Sequence, residues 1–195
     1  MEITAKTYEY NTGVVTRKQF DDHITLYKGY VTKTNEITNA LATATPETLA
    51  AANATYSLFR GLKRGQTYAL DGVILHERYF ENLGERTTPM GRKTQQLLDT
   101  YFGGAQKWQA DFTATALSAR GWCILAYEQR TAACTNFLFD NHHDGQVTAA
   151  YPLVVLDMYE HAYFLDYGTD KAAYVNRFIA QIPWDNIEKR VAAIL

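Results

Sequence analysis

The run Pro152-Leu153-Val154-Val155-Leu156-Asp157-Met158-Tyr159-Glu160-His161 places a carboxylate and an imidazole four residues apart, where the most hydrophobic stretch of the chain ends. A short aliphatic run bounded by polar residues reads as a buried strand over Pro152–Asp157. Strand ends are natural platforms for functional side chains, because a rigid scaffold holds them at the edge of the core. Upstream, Trp122–Tyr127 and Cys134–Phe139 have the same character, and Asn141-His142-His143-Asp144-Gly145 is a strong turn signal before the last strand. Three short strands joined this way form an antiparallel sheet.

Everything before Gly121 reads as helix. Thr16-Arg17-Lys18-Gln19 matches a capping box, in which the threonine hydroxyl and glutamine side chain satisfy free backbone N–H groups. Beyond it Phe20, Ile24, Tyr27 and Val31 recur at helical spacing and mark an amphipathic face. A second helix is expected from Thr45-Pro46 to about Gly65, and a third over Thr67–Leu83 with Gly84 as its C-terminal cap. Thr88-Pro89 opens a linker and a short helix ending at Gly103-Gly104, and Gln106–Ser118 is one more. After the strands, Lys171–Ile182 and Asp185–Ile194 are helical, separated by Pro183. Helices followed by a sheet with further helices around it is the α+β class.

Composition narrows the function. The 195 residues carry 19 Lys+Arg against 21 Asp+Glu, a formal net charge of −2, so no basic footprint points to nucleic acid or an anionic membrane. That balance does not disfavour a small anionic substrate, which needs only a locally positive approach. Two cysteines, Cys123 and Cys134, are too few for a disulfide framework or a Cys-rich metal site. No apolar run is long enough to span a bilayer, and the start of the chain lacks the pattern of a signal peptide. The expectation is a soluble cytoplasmic protein.

There are five histidines: His23, His76, His142, His143 and His161. Taken singly, each is most simply a packed or surface residue, and Asp157 a helix cap. Together they are harder to set aside. His23 and Tyr30 are seven apart and share a helix face, and His76 shares its face with Tyr79, Phe80 and Leu83. Two or three histidines with one carboxylate and no cysteine suit Fe, Mn or Zn with an open coordination position. Neither a G-x-S-x-G elbow nor a nucleotide-binding glycine loop is present.

The stretch Asp157-Met158-Tyr159-Glu160-His161-Ala162-Tyr163-Phe164-Leu165-Asp166-Tyr167 resembles the D-x-W-E-H-A-Y-x-x-D-Y signature of the iron/manganese superoxide dismutases. His76-Glu77-Arg78-Tyr79-Phe80-Glu81-Asn82-Leu83 is similar to the H-x-x-F/Y-W/F-x-x-L segment of that family. Phe102-Gly103-Gly104, Phe112-Thr113 and Gly121-Trp122 resemble its F-G-S…F…G-S-G-W block. Tyr30-Val31 with Asn35 resembles the Y-V-x-x-L-N of its first helix, and Ile182-Pro183-Trp184-Asp185-Asn186 its closing N-W segment. The resemblance runs in order from about residue 20 to the C-terminus.

The resemblance implies an N-terminal antiparallel helical hairpin domain, residues 1–87, and a C-terminal α/β domain, residues 88–195, with the metal site between them. It implies one Fe or Mn ion held by His23, His76, Asp157 and His161, with superoxide as substrate and O2 and H2O2 as products. It implies a homodimer, with pairing into a tetramer open to it, in which Glu160 reaches the partner's copy of His161 and Tyr163 is an interface tyrosine. Tyr30 takes the place of the gateway tyrosine, and Trp122 walls the pocket.

Several positions depart from the family pattern. The first ligand usually lies eight residues before the gateway tyrosine, whereas His23 lies seven before Tyr30; the shorter spacing keeps one face if a one-residue π-bulge of the usual helix is absent here. The family's histidine four residues past the first ligand falls at Leu26, and Tyr159 replaces the signature tryptophan. The glutamine that bonds the metal-bound solvent is missing from both usual places, which are Gly72 and the turn Asn141-His142. His142 is expected as its substitute, with His143 a turn residue. Without that glutamine the usual cue for iron against manganese is lost. Lys28, Lys33, Arg78 and Arg190 could steer an anion, although such charges are ordinarily a solvated face.

Two other functions are compatible with these residues. A non-catalytic metal-binding homologue of the same fold would have lost a ligand, and all four types are present. A mononuclear non-haem iron oxygenase would need a roomy organic-substrate pocket, where this sequence offers aromatic walls.

Overall fold

The computed structural model describes residues 2–194. The expected order of helices, then sheet, then helices is observed. Helix α1 (Arg17–Ala42) runs beside a long helix α3 (Leu58–Phe80), with the one-and-a-half-turn α2 (Pro46–Ala50) between them. Helices α4 (Arg92–Phe102) and α5 (Ala105–Ser118) lead into strands β1 (Trp122–Glu128), β2 (Ala133–Phe139) and β3 (Ala150–Asp157). Helices α6 (Glu160–Tyr167), α7 (Lys171–Gln181) and α8 (Trp184–Ile194) close the chain.

The sheet is antiparallel in the order β2-β1-β3, so β1 is central and pairs Trp122 with both Phe139 and Asp157. That register sets Trp122 directly beside the end of β3. Leu153, Val154, Val155 and Leu156 are fully buried, which is why β3 reads as a continuous aliphatic run rather than an alternating one. Cys123 and Cys134 are buried free thiols. Among the described residues no helix is long and apolar enough to cross a membrane.

The amphipathic stripe of α1 faces inward: Phe20, Tyr27 and Val31 are buried, and His23 is buried on the same face. Thr16 caps α1 as expected, its hydroxyl accepting from the Gln19 N–H at 3.3 Å. The glutamine half of the capping box does not form. The Gln19 side chain turns into the core instead and crosses to α6.

The single helix expected from Thr45 to Gly65 is broken. Asn53 accepts from the N–H groups of Thr55 and Tyr56 and donates its amide to the Tyr56 carbonyl, a local turn that competes with helix. Ser57 then caps a new helix by accepting from the Arg60 N–H at 3.1 Å. Helix α3 therefore starts well before Thr67 and passes through Gly61 and Gly65. It ends at Phe80 with Glu81 as cap, so Gly84 is not its terminator. The Gly84 carbonyl accepts from the Gly13 N–H at 3.0 Å, tying down the N-terminal segment. Just past α3 the buried Asn82 accepts from the Val155 N–H at 2.7 Å, which fastens the end of this helix to β3.

Candidate metal centre

Four donor side chains meet where α1, α3, β3 and α6 converge. His23 comes from α1, His76 from α3, Asp157 from the last position of β3 and His161 from the first turn of α6. One ligand atom from each lies within 4.8 Å of all the others. The three imidazole Nε2 atoms stand 3.2, 3.7 and 3.3 Å from Asp157 Oδ2 for His23, His76 and His161 respectively. His23, His76 and Asp157 are almost wholly buried, while the His161 side chain is one-third exposed.

The hydrogen bonding of these groups fits a cation. His76 Nδ1–H donates to the Gly72 carbonyl at 2.5 Å, so its Nε2 carries a lone pair directed at the cluster. The Nε2 atoms of His23 and His76 are buried and have no hydrogen-bond partner. Two unpartnered buried ring nitrogens against one carboxylate oxygen would be costly without a positive ion to bind. Burial keeps both rings neutral: it lowers the His23 pKa, and with His23 as neighbour it lowers that of His76 to about 3. Burial opposes ionisation of Asp157 as well, but the adjoining His161 and His23 outweigh it and hold the carboxyl well below the usual range. Asp157 Oδ1 accepts from the Tyr159 N–H at 2.9 Å, which fixes Oδ2 toward the imidazoles. His161 is partly buried, but Asp157 raises its pKa despite that.

Aromatic side chains enclose the donors. Trp122 meets the His76 ring edge-on at 5.0 Å between centroids, and Tyr79 lies tilted over His23 at 5.0 Å. Tyr159 stacks on His161 at 5.2 Å, so the residue in place of the signature tryptophan still forms a wall. His142 is buried behind His76 and sits between two partners. Trp122 Nε1–H donates to its Nδ1 at 3.0 Å, and its Nε2 is 2.7 Å from the Tyr30 hydroxyl. Burial lowers the His142 pKa to about 4, so the ring is neutral. The Tyr30 and Tyr159 hydroxyls are raised above the usual phenol value, first by burial and then by the adjacent Tyr68.

The residues expected from the sequence fall out as follows. His23, seven positions before Tyr30, points into the cluster from an α1 that is regular throughout. The buried residue one turn beyond His23 is Tyr27, while Leu26, aligned to the family histidine, is exposed. The Tyr27 hydroxyl donates to Glu77 at 2.9 Å. His143 lies in the turn, its N–H bonded to Asn141 Oδ1 at 3.0 Å. Tyr163 is buried with its ring stacked on Tyr174 at 5.1 Å, and Glu160 is exposed on α6. Three of the candidate steering charges are already paired: Lys33 with Glu36, and both Arg78 and Arg190 with Glu81.

One positioning residue escaped the sequence reading. Gln19 Nε2–H donates to the His161 carbonyl at 2.5 Å, and its Oε1 accepts from the Leu165 N–H at 3.2 Å. The side chain is buried and ties α1 to both ends of the first turns of α6. Its place one turn before His23 on the same helix face was the available signal.

Comparison with known proteins agrees with this geometry. Residues 89–190 match the model of the C-terminal domain of iron/manganese superoxide dismutases. The chain is 35% identical over 185 residues to an iron superoxide dismutase of Cupriavidus metallidurans, covering 93% of this chain and 90% of that protein. It is 34% identical over 182 residues to that of Aquifex aeolicus, covering 90% and 84%. A manganese superoxide dismutase of Halobacterium salinarum is 30% identical over 172 residues, covering 86% and 82%. With that likeness spread over nearly the whole chain, and four metal-type donors gathered at one point, the chain belongs to the iron/manganese superoxide dismutase family.

Proposed function

We propose that the protein is a superoxide dismutase that holds one Fe or Mn ion per subunit on His23, His76, Asp157 and His161. The observation that carries this is the pair of buried, unpartnered imidazole nitrogens facing an ionised carboxylate oxygen in a chain of this family. When bound, the ion supplies one-electron oxidation of one superoxide to O2 and one-electron reduction of the next to H2O2.

The protein's part is to shape that site and to manage protons. Asp157 contributes the single negative charge and three neutral imidazoles complete a mixed N/O set. The Gly72 carbonyl holds the His76 ring in the required tautomer. His142, fixed by Trp122, holds the Tyr30 hydroxyl beside the cluster, where it can donate a proton to a reduced anion. The aromatic wall of Trp122, Tyr79 and Tyr159 shuts His23, His76 and Asp157 away from bulk water and leaves His161 as the open side.

The exposed face of α6 supports a homodimer. Phe164 and Leu165 are about half exposed beside His161, and Leu26 is exposed on α1. A second copy covering this face would bring its Glu160 to His161 and shield an imidazole that is one-third open to solvent. Pairing of such dimers into a tetramer, and residence in the cytoplasm, complete the reading.

Elemental analysis of purified protein and superoxide consumption of wild type and His161→Ala test the assignment. Close to one Fe or Mn per chain with activity, both lost or sharply reduced in the variant, is the expected result. Metal-loaded wild type that consumes no superoxide would refute it.

A further inference from the structure

The face of the sheet that carries Trp122 to the donor cluster continues beyond it. Side chains alternate along a strand, so Ile124 and Ala126 of β1 share that face with Trp122. Phe139 and Phe137 of β2 stand opposite Trp122 and Ile124. Helix α3 forms the facing wall with Ile74 and Leu75, and Val147 and Ala150 close one side. Between these elements lies a cavity of about 300 Å³, within the range of roughly 300–1,000 Å³ typical of small-molecule sites. Ala126 contributes only a methyl group to its lining, which leaves the space open. The buried His142 borders it, and the exposed Ile74 and Gln146 stand at its mouth.

Two charged side chains line the cavity, and they differ in what they have left to bind. Arg78 is engaged: its guanidinium donates to Glu81 at 3.0 Å and to the Tyr151 hydroxyl at 3.4 Å, and it lies over the Tyr151 ring at 5.7 Å. Asp71 lies two turns earlier on α3 and is half-buried. Among the described residues it forms no ion pair, and the Gln146 amide reaches it only at 3.4 Å. Burial raises its pKa, although His143 and Gln146 oppose the rise. The charge that this cavity leaves uncompensated is therefore negative. The rest of the lining is mainly apolar, and the rings of Phe137 and Phe139 favour an aromatic guest.

We propose that this cavity binds a small organic cation, an arylalkylammonium, with its ammonium group donating to Asp71 and its ring packed against Ile124, Ala126 and Phe139. An occupant reaches the same His142 ring that holds Tyr30, so a ligand that never meets the metal would touch the support of the metal centre. The cavity is a property of the fold, and its occupancy does not depend on the dismutase reading.

Isothermal titration calorimetry of the full-length protein with phenethylammonium tests this, with neutral phenethyl alcohol and anionic hydrocinnamate as matched probes. The ammonium should bind with a Kd of about 1 mM or tighter, the affinity open to a fragment of this size. The alcohol should bind about tenfold more weakly, because it lacks the charge-assisted bond, and the carboxylate more weakly still. Asp71→Asn should weaken the ammonium about tenfold and leave the alcohol unchanged. That substitution keeps the shape of a partly exposed side chain, so the variant should fold. Ala126→Phe, which fills the cavity, should abolish binding of both probes. Should that variant not fold, a wild-type crystal soaked with phenethylammonium locates the ligand instead. No binding of the ammonium would overturn the proposal, as would a preference for the alcohol or the carboxylate. A charge preference that survives Asp71→Asn, binding that survives Ala126→Phe, or ligand density outside this cavity would overturn it equally.

Discussion

Trp122 Nε1 donates to His142 Nδ1 across 3.0 Å, and this one contact decides which nitrogen of the imidazole is left for Tyr30. The register of the sheet makes it possible, because Trp122 opens β1 opposite both Phe139, two residues before the turn that carries His142, and Asp157. A residue that reads as a pocket wall is also the residue that fixes a tautomer.

Truncating His142 should therefore cost more than its packing. His142→Ala leaves the buried indole N–H without an acceptor, a penalty of about 1–3 kcal/mol in addition to the cavity. His142→Gln, whose amide can both accept and donate, should recover most of it. Urea denaturation of the two variants checks this, and equal losses would show that the Trp122 bond is not what holds the ring.

Gly72 is the place where α3 makes room for Tyr30. A Cβ there would lie 2.8 Å from Tyr30 Cδ1, closer than side-chain carbons approach. In Gly72→Ala the gain in helix propensity, about 1 kcal/mol, opposes the overlap, so stability should change little. The ring must still move, and Tyr30 should lose its bond to His142 while the metal is retained. A crystal structure of the variant with that bond intact at full activity would contradict this.

The four donors were legible because the information for each is local. Asp157 and His161 lie in one short motif after an unmistakable strand, and His23 rides on an apolar stripe whose period is plain. His142 could be placed by the turn signal around it. What stayed hidden depends on partners distant in sequence or on competition between local structures. Gln19 fits a capping box, and nothing nearby shows that its side chain bonds a carbonyl 142 residues away. Asn53 reads as one helical residue among many, but its side chain closes a local turn that competes with helix. Gly84 has the appearance of a helix stop, but a Cβ there would lie 3.0 Å from the Gln181 carbonyl oxygen, a close backbone approach that explains its presence better.

Gln19 should set the metal affinity without touching the metal. Its two bonds hold the backbone at His161 and Leu165, and so aim the His161 ring. Gln19→Leu keeps the volume and removes both bonds, leaving α6 with only its own helical bonding at His161 and Leu165. Loss of such an orienting contact typically weakens metal binding about 10- to 100-fold. Competition with a chelator measures it, and an affinity equal to that of wild type would mean that α6 is positioned by packing alone.

Acid should reveal the burial of His142 in a way that its neighbours do not obscure. Its folded pKa is about 4, against an ordinary 6.5. Between those values the unfolded chain takes up a proton that the folded chain refuses, so stability falls as the pH falls, by up to about 1.4 kcal/mol per pH unit. Above 6.5 this histidine contributes no slope. His142→Gln cannot titrate, while His23, His76 and His161 titrate in both proteins and cancel in the difference. Wild type should therefore lose stability relative to His142→Gln when denaturation is measured from about pH 7.5 down to about pH 5, a window above the acid range in which Asp157 would be protonated. A difference that stays constant across that window would show that His142 is open enough to protonate in the folded protein, and that its contact with Trp122 is not permanent.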